Sequence, residues 1–298
     1  MPESSRPTIK VHNHGHVALV DTMGDDDAIV QAARVSYGKG TKSVSEDRGL
    51  IRYLMRKRHT TPFEMCEVKL HLKLPIFVMR QWIRHRTASV NEYSGRYSEM
   101  RDEFYFPELQ AIKPQSTVNK QGRDGDMLDS DRKLVQGLIR KQSLNAFEAY
   151  QLLINNPNPE FQQSVNFPVS DEFAGVAKEM ARVILPLNIF TECYWKIDLH
   201  NLFHFLTLRT DAHAQEEIRD YANAICELIK PIFPVAYEAW EDYHRYSYTL
   251  SRMEKNIITK LVNIAPISQL ELACKQEGMS KREIAEFIAA FWDKAEPQ

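Results

Sequence analysis

The chain has 298 residues, of which 43% are hydrophobic and 26% are charged, close to the averages for globular proteins. This composition excludes a disordered, collagen-like or low-complexity chain, and a chain of this length needs neither disulfides nor a structural metal to fold. The 40 acidic and 38 basic residues give a net charge of −2, so there is no global attraction to nucleic acid or to anionic membranes.

The four cysteines, Cys66, Cys193, Cys226 and Cys274, stand far apart, and none belongs to a Cys-x-x-Cys pair. This spacing excludes zinc ribbons and thioredoxin-like motifs and indicates small buried side chains in a reducing compartment. The polar start is not followed by the apolar stretch of a signal peptide, and no apolar run is long enough to predict a membrane span. We therefore expect a cytoplasmic protein.

In chain order, the first third of the sequence predicts alternating strands and helices. Residues 67–74 are the clearest strand, because apolar and polar side chains alternate along them and Pro75 follows. Helical spacing of apolar residues, together with acidic residues at the helix starts, predicts the neighbouring helices. The other predicted elements are a strand over 16–22 and helices over 25–36, 45–59 and 76–86.

The rest of the chain is predicted to be mainly helical. The polar segment 113–131 indicates a surface loop. The later predicted elements are helices over 131–155, 171–184, 198–208, 214–230 and 235–246, a strand over 187–197, and a charged helical extension over 250–298. Within the extension, an amphipathic helix over 280–294 has an apolar face formed by Ile284, Phe287, Ile288 and Phe291.

Chemically active side chains are densest in residues 80–98, whose sequence is RQWIRHRTASVNEYSGRYS. Arg80 and Arg84 are spaced one helical turn apart, and the run from Ser94 to Arg96 offers a hydroxyl, an accessible backbone N–H and a guanidinium. Together these groups suit a phosphate. A solvated basic face that ends in a turn accounts for the same composition, which by itself leaves both interpretations open.

Arg84-His85-Arg86, then seven residues, then Ser94, resembles the signature of flavin-dependent thymidylate synthases. Further segments extend the resemblance over about residues 15–245. They are ARVS at 33–36, HxTPFE at 59–64, ARxxLP at 181–186 and LRxxxHAQ at 208–215. The resemblance implies reductive methylation of dUMP to dTMP, with methylenetetrahydrofolate as carbon donor, NADPH as reductant and bound FAD as hydride carrier.

The resemblance also implies which residues hold the ligands. Arg209 is implied as the catalytic residue beside the uracil, where a guanidinium stabilises developing charge. A helix C-terminal arginine paired with Asp211 or with a backbone carbonyl is the alternative. Ser94 is implied as a phosphate contact, since no adjacent base activates it as a nucleophile. The implied dUMP contacts are Gln81, Trp82, Ile83, Arg84, Glu92, Tyr93, Ser94, Gly95, Arg96, Arg182 and Arg209. The implied FAD contacts are Ser36, His59, Thr61, Glu64, Arg84, His85, Arg86, Glu92, Asp198, Leu199, His200 and His204.

Other histidines leave alternatives open. His200 and His204 have metal-ligand spacing, but the zincin pattern is absent and we expect no metal. His12, His14 and His16 alternate as on one face of a strand, which fits either a metal site or a strand surface. No glycine-rich dinucleotide motif is present, so FAD is not expected on a Rossmann scaffold and no NADPH site is visible.

A nucleic-acid-binding module is the alternative function, built on the basic and aromatic side chains from Arg80 to Arg101. The balanced charge of the chain argues against it, and the presence of the motif residues argues against an inactive family member. The resemblance implies an α+β fold, with a mostly antiparallel sheet surrounded by helices. The expected helical C-terminal extension and the loop over 113–131 lie outside the resemblance. We expect a synthase domain over 1–248 and an extension over 249–298. The resemblance further implies a homotetramer with active sites at subunit interfaces.

Overall fold

A computed structural model describes residues 5–35, 44–117, 120, 122–164, 169–170, 172–262 and 266–291. The chain divides into two compact units, Met1–Tyr246 and Ser247–Gln298. The first unit contains the antiparallel sheet and the motif residues, and the second is helical. This arrangement confirms the predicted α+β fold with a helical extension.

The strands of the sheet are β1 (Thr8–Val11), β2 (Gly15–Met23), β3 (Glu67–Pro75), β4 (Ala88–Glu92) and β5 (Phe190–Asp198). Among the described residues they form one five-stranded sheet in the order β1-β2-β3-β5-β4, and every neighbouring pair is antiparallel. In β3 the apolar side chains at alternate positions are fully buried, as the alternation predicts. The strand predicted over 16–22 is confirmed, and β5 begins three residues later than predicted.

Helices surround the sheet. In the first unit they are α1 (Asp26–Arg34), α2 (Val44–Arg56), α3 (Thr61–Glu64), α4 (Ile76–Trp82), α5 (Asp129–Leu153), α6 (Pro159–Ser164), α7 (Lys178–Ala181), α8 (Leu199–Arg209), α9 (Glu216–Ile229) and α10 (Pro234–Trp240). A single π-helical turn, Glu241–Arg245, continues α10. Asp25 caps α1 as predicted, because its carboxylate accepts from the backbone N–H of Ala28 at 3.1 Å.

Two predicted helices are wrong in extent. The helix expected over 76–86 ends at Trp82, where the N–H of Arg84 and the N–H of His85 turn back to carbonyls at 3.3 and 3.0 Å. Arg84 is therefore not on a common helix with Arg80. The helix expected over 171–184 is reduced to α7 and one 3₁₀ turn, because Gly175 adopts a positive φ of 80°.

An aromatic core anchors the elements that carry the motif. Trp82 at the end of α4 is fully buried, with its ring 4.6 Å from Phe205 in α8 and 5.2 Å from Trp195 in β5 (centroid to centroid). Rings of this size contribute strongly to a core when buried. The chain after Trp82 and the C-terminal end of α8 are therefore fixed beside one another.

All four cysteines are buried and form no disulfide, as their isolated spacing predicts. Across the described ranges, no helix combines the length and the apolar character that crossing a bilayer requires. Of the three early histidines, His12 lies in the turn between β1 and β2, where its ring meets Tyr105 and Tyr221 at centroid distances of 4.9 and 5.5 Å.

The second unit consists of α11 (Arg252–Val262), α12 (Ile267–Gln276) and α13 (Lys281–Phe291). A capping box begins α13, because the Ser280 N–H donates to the Glu283 carboxylate at 2.8 Å and the Glu283 N–H donates to the Ser280 hydroxyl at 3.3 Å. Ile284 is buried, in agreement with the predicted apolar face.

Candidate active site

Three segments that are distant in sequence meet around residues 80–98. Gln81 donates to Gln215, and Arg209 donates to His85, so the end of α8 and the start of α9 contact the motif. Arg96 forms an ion pair with Glu179, which brings α7 to the same place. These contacts assemble one polar site from parts of the chain more than 80 residues apart.

The first part of the site is the pair formed by Arg209 and His85. Nε of Arg209 donates to Nε2 of His85 at 3.0 Å, so this ring nitrogen carries no proton. Burial, with the nearby charges of Arg209 and His204, lowers the pKa of His85 to about 4. Arg209 is the last residue of α8, and its described hydrogen bond goes to His85, while the Asp211 carboxylate accepts from the backbone N–H and Nδ1 of His213 at 2.7 and 2.8 Å.

The second part of the site is a cluster of groups that suit the binding of a phosphate. Gly95 is buried, and a Cβ atom there would lie 2.8 Å from Sδ of Met100 and 3.4 Å from Cδ of Arg182, so any side chain would have to displace Met100. Arg96 donates through Nε to the Glu179 carboxylate at 3.1 Å, and Arg182 donates to the Glu179 carbonyl at 3.4 Å. The Arg96 guanidinium is thus bound by a carboxylate, whose charge and acceptor geometry resemble part of a phosphate, while the Arg182 guanidinium contacts only the backbone of the same residue.

The remaining dUMP candidates differ in accessibility. Ile83 and Arg84 are exposed, and the Glu92 carboxylate accepts from the Thr191 hydroxyl at 2.9 Å. The Tyr93 hydroxyl donates to the Glu99 carbonyl at 2.6 Å. The Trp82 side chain is inside the core, so a ligand can meet this residue only through its backbone.

The third part is a cavity of about 310 Å³ with four histidines in its wall. The lining residues are Leu54, Met55, Arg58, His59, Thr60, Phe63, His200, Phe203, His204, Thr207, Trp240 and His244. The Trp240 indole stacks on Phe203 with ring centroids 5.4 Å apart and donates to the Thr207 hydroxyl at 2.9 Å. Burial, with Arg58 and His200 nearby, lowers the pKa of His244. A planar aromatic ligand with polar edges suits such walls.

The cavity adjoins the first part of the site, because the rings of His85 and His204 meet edge to face with centroids 6.2 Å apart. Three of the FAD candidates, His59, His200 and His204, line it. Sequence reasoning missed His244, which lies on the π-helical turn outside every motif.

Within the described part of the chain, no group of three or more His, Cys, Asp or Glu side chains is arranged to hold a metal ion.

Other FAD candidates have structural partners or lie elsewhere. The Asp198 carboxylate caps α8, accepting from the backbone N–H of Asn201 at 2.9 Å and from its side-chain amide at 2.7 Å. Leu199 is fully buried, Thr61 is exposed, and Glu64 is half-buried in α3. Ser36 lies outside the described residues. Arg86 is exposed just before β4.

The geometry gives no support to the nucleic-acid alternative. Stacking needs exposed aromatic rings, yet Trp82 is fully buried and the Tyr93 hydroxyl is bonded within its own segment. Arg101, at the end of the proposed basic strip, is paired with the Glu192 carboxylate at 2.6 Å. Of the three aromatic side chains considered, Tyr97 alone is well exposed.

Comparison with known proteins identifies the family. The family model described as "Thymidylate synthase complementing protein" matches residues 18–235. A flavin-dependent thymidylate synthase of Rickettsia bellii is 49% identical over 276 residues, which cover 92% of this chain and 90% of the relative. One of Ruegeria pomeroyi is 49% identical over 277 residues, which cover 93% of this chain and 85% of the relative.

A solved structure agrees with these relatives. The UMP/dUMP methylase PolB from Streptomyces cacaoi, bound with 5-Br dUMP, matches with a TM-score of 0.67 and 31% sequence identity. The match covers 80% of this chain and 100% of that chain. Since the family model spans most of the chain and close relatives align along nearly all of it, the chain belongs to the thymidylate synthase complementing protein family.

Proposed function

We propose that this protein is a flavin-dependent thymidylate synthase, which converts dUMP to dTMP. The observation that carries the proposal is the contact of residues 80–98 with Arg182, Arg209 and Gln215. It places groups suited to a phosphate and the half-buried Arg209 guanidinium beside a cavity that suits a planar ring. The shared name of the relatives and the bound 5-Br dUMP of the solved structure support the same substrate.

In this proposal the nucleotide phosphate is held by the Ser94 hydroxyl, the backbone at Gly95, and the guanidinium groups of Arg96 and Arg182. Charge-assisted bonds from planar guanidinium groups fit phosphate oxygens well. Arg209 faces the uracil and stabilises negative charge as it develops on the ring. The remaining dUMP contacts are those implied by the family resemblance: Gln81, Trp82 through its backbone, Ile83, Arg84, Glu92 and Tyr93.

The histidine-lined cavity fits a flavin nucleotide. Its volume of about 310 Å³ suits one planar ring system, and its imidazole side chains offer both stacking surfaces and hydrogen bonds. We assign His59, His200 and His204 to FAD, with His85 at the border to the uracil site; the rest of the family-implied set stays proposed. When bound, FAD supplies the hydride chemistry, while NADPH and methylenetetrahydrofolate supply electrons and carbon.

The cysteines favour this route over a thiolate nucleophile. All four are buried, and burial raises the pKa of Cys66 to about 11 and that of Cys193 to about 12. A thiol with such a pKa is not ionised at neutral pH. This chain's contribution is therefore to bind and orient dUMP, to place Arg209 against the ring, and to exclude water from the cavity beside it.

We further propose a cytoplasmic homotetramer with active sites between subunits, in which residues 1–248 hold the synthase site. Support comes from the exposed apolar side chains that flank Arg182, namely Met180, Val183 and Leu187, which are 64%, 74% and 62% exposed in one chain. A neighbouring subunit that covered them would also enclose Arg182. Light scattering of the purified protein tests the assembly.

Purified protein tests the reaction. We expect a visible flavin spectrum, NADPH oxidation that is faster with dUMP, and dTMP formation that requires methylenetetrahydrofolate. UMP in place of dUMP is the matched substrate control. No flavin binding at micromolar FAD, or flavin binding without dTMP formation under anaerobic conditions, contradicts the proposal.

A further inference from the structure

A buried carboxylate lies in the first turn of α9, outside the residues assigned to the ligands. Glu217 is 2% exposed. Its Oε1 accepts from the Tyr105 hydroxyl and from Nη1 of Arg123, both at 2.9 Å, and its Oε2 accepts from Nε2 of Gln215 at 2.8 Å. A buried charge is tolerated when hydrogen bonds and an opposite charge compensate it, and both are present here.

The protonation state of this cluster is defined by its contacts. Burial acts to raise the pKa of Glu217, but its own backbone N–H, the Arg123 charge and the Gln215 amide outweigh burial and hold the pKa below its usual value. Burial, with Glu217 nearby, raises the pKa of Tyr105, so the phenol keeps its proton and donates. Glu217 is therefore an acceptor at both oxygens at neutral pH.

This assignment fixes the orientation of two amides in succession. Because an ionised carboxylate can only accept, Gln215 turns its NH₂ group to Glu217 and its carbonyl oxygen away. That oxygen accepts from Nε2 of Gln81, so the Gln81 amide is also held in one orientation. The Gln81 amide therefore presents Oε1 as an acceptor and its second N–H as a donor, both in a fixed orientation.

Arg123, at the far end of this chain of bonds, belongs to the surface loop 113–131. Backbone pairing within the loop holds it: the Ser116 N–H donates to the Gly122 carbonyl at 2.8 Å, and the Asp124 N–H donates to the Pro114 carbonyl at 3.0 Å. The second branch of the guanidinium, Nη2, donates to Glu216 at 2.7 Å. The Arg123 guanidinium thus divides between two carboxylates, donating through Nη1 to Glu217 and through Nη2 to Glu216.

We infer that Arg123, Glu217 and Gln215 are positioning residues that preset the Gln81 amide for dUMP. The inference rests on the proposed function, because Gln81 is a proposed dUMP contact. A preset amide loses less conformational freedom when the nucleotide binds, so the relay lowers the entropic cost of binding. Without the relay, the KM for dUMP rises while kcat and FAD affinity stay near their wild-type values.

Three variants test the relay in the FAD-loaded enzyme. Gln215→Met removes the amide at an exposed position whose side chain makes no helix-cap bond, so the fold is retained. Glu217→Gln neutralises the buried acceptor. Glu216→Gln is the matched control, since it makes the same charge change on the other Arg123 branch and leaves the relay intact. Calorimetric Kd values for dUMP and FAD, melting temperatures, and kcat and KM are measured for each.

We expect Gln215→Met to raise the dUMP Kd and KM about fivefold to tenfold, the equivalent of one net hydrogen bond, with an unchanged melting temperature and FAD Kd. Glu217→Gln should raise the dUMP Kd and KM by a similar factor and also lower the melting temperature. Glu216→Gln should behave as wild type. The double variant Gln215→Met/Glu217→Gln should bind dUMP no worse than either single variant. Unchanged dUMP binding by Gln215→Met, or additive losses in the double variant, overturns the relay alone. Failure of the wild type to bind dUMP overturns the proposed function together with it.

Discussion

Arg209 and His85 are joined by one hydrogen bond of 3.0 Å, from a guanidinium Nε to an imidazole nitrogen that carries no proton. The bond connects the last residue of α8 to the Arg84-His85-Arg86 motif across 124 positions of sequence. It therefore holds the proposed catalytic guanidinium in place only while the imidazole stays neutral.

This bond predicts a pH dependence of stability. The pKa of His85 is lowered from 6.5 to about 4 in the folded protein, so the unfolded chain takes up the proton first as the pH falls. The free energy of unfolding should therefore decrease as the pH falls from about 6.5 to about 4. His16 and His244 have pKa shifts in the same direction and contribute to the total.

Comparison of the FAD-free wild type with His85→Gln isolates the contribution of His85, because glutamine offers a carbonyl acceptor that does not titrate in this range. Melting temperatures across the pH range provide the measurement. We expect a smaller decrease for the variant at low pH. Parallel curves for the two proteins would mean that His85 does not carry this proton linkage.

Arg96→Ala should weaken dUMP binding far more than FAD binding. A charge-assisted contact contributes roughly 1.5–3 kcal/mol, so we expect the dUMP Kd to rise about tenfold or more. Isothermal titration with each ligand provides the measurement. An equal loss of both ligands would show that Arg96 is structural.

Glu179→Gln should have the opposite effect on dUMP. In this structure the Glu179 carboxylate holds the Arg96 guanidinium, with side chains that are 55% and 53% exposed. An exposed pair of this kind contributes at most about 1 kcal/mol, so removing the competing charge should lower the dUMP Kd by up to about fivefold. In the Arg96→Ala background Glu179→Gln should give a smaller gain, and a full gain there would exclude competition for Arg96.

Variants of the cavity histidines should separate the two ligand sites. His59→Ala and His204→Ala each remove part of the cavity wall, and we expect both to weaken FAD binding while dUMP affinity changes little. His14→Ala is the control, since this exposed histidine is not part of the lining. Flavin fluorescence titration gives the affinities. If the control loses as much FAD affinity as the two variants, the cavity is not the flavin site.

Truncation after Ser247 should leave a folded protein that binds FAD and dUMP. The described residues of the two core clusters all belong to the first unit, and the last of them is Tyr243. We expect a lower melting temperature or a changed oligomer size, because α13 has an apolar stripe that is stable only when covered. Unchanged melting and size with loss of dUMP binding would show that the extension belongs to the active site.

Local patterns predicted the fold where one face of an element is buried. In β3 strict alternation identified the strand, and the acidic residues before α1 identified its cap. The strand β4 was missed because the sequence from Ala88 to Glu92 is mostly polar and exposed, so pairing with β5 rather than burial defines it. Tertiary pairing of this kind leaves no periodic signal in a single sequence.

The candidate site, like the fold, was predictable only where the signal lies in a continuous stretch of sequence. A long motif identified Arg84, His85 and Ser94 by type and order, without any knowledge of their partners. Glu179 and Glu217 were not anticipated, since each acts through a side chain that lies far away in sequence. For Arg96 and Glu179 the strand order matters, because β4 precedes Arg96, β5 follows Glu179, and β5 lies between β3 and β4 in the sheet.

That strand order has a consequence for the folding reaction. Because β5 joins β3 across more than 100 positions and β4 then adds to β5, the chain must close very long loops before the motif meets Arg182 and Arg209. Non-local pairing of this kind is slow, and the nucleotide pocket is absent from any intermediate in which it is incomplete. Nucleotide added to a refolding chain should therefore leave the early phases unchanged and slow only the unfolding of the finished protein.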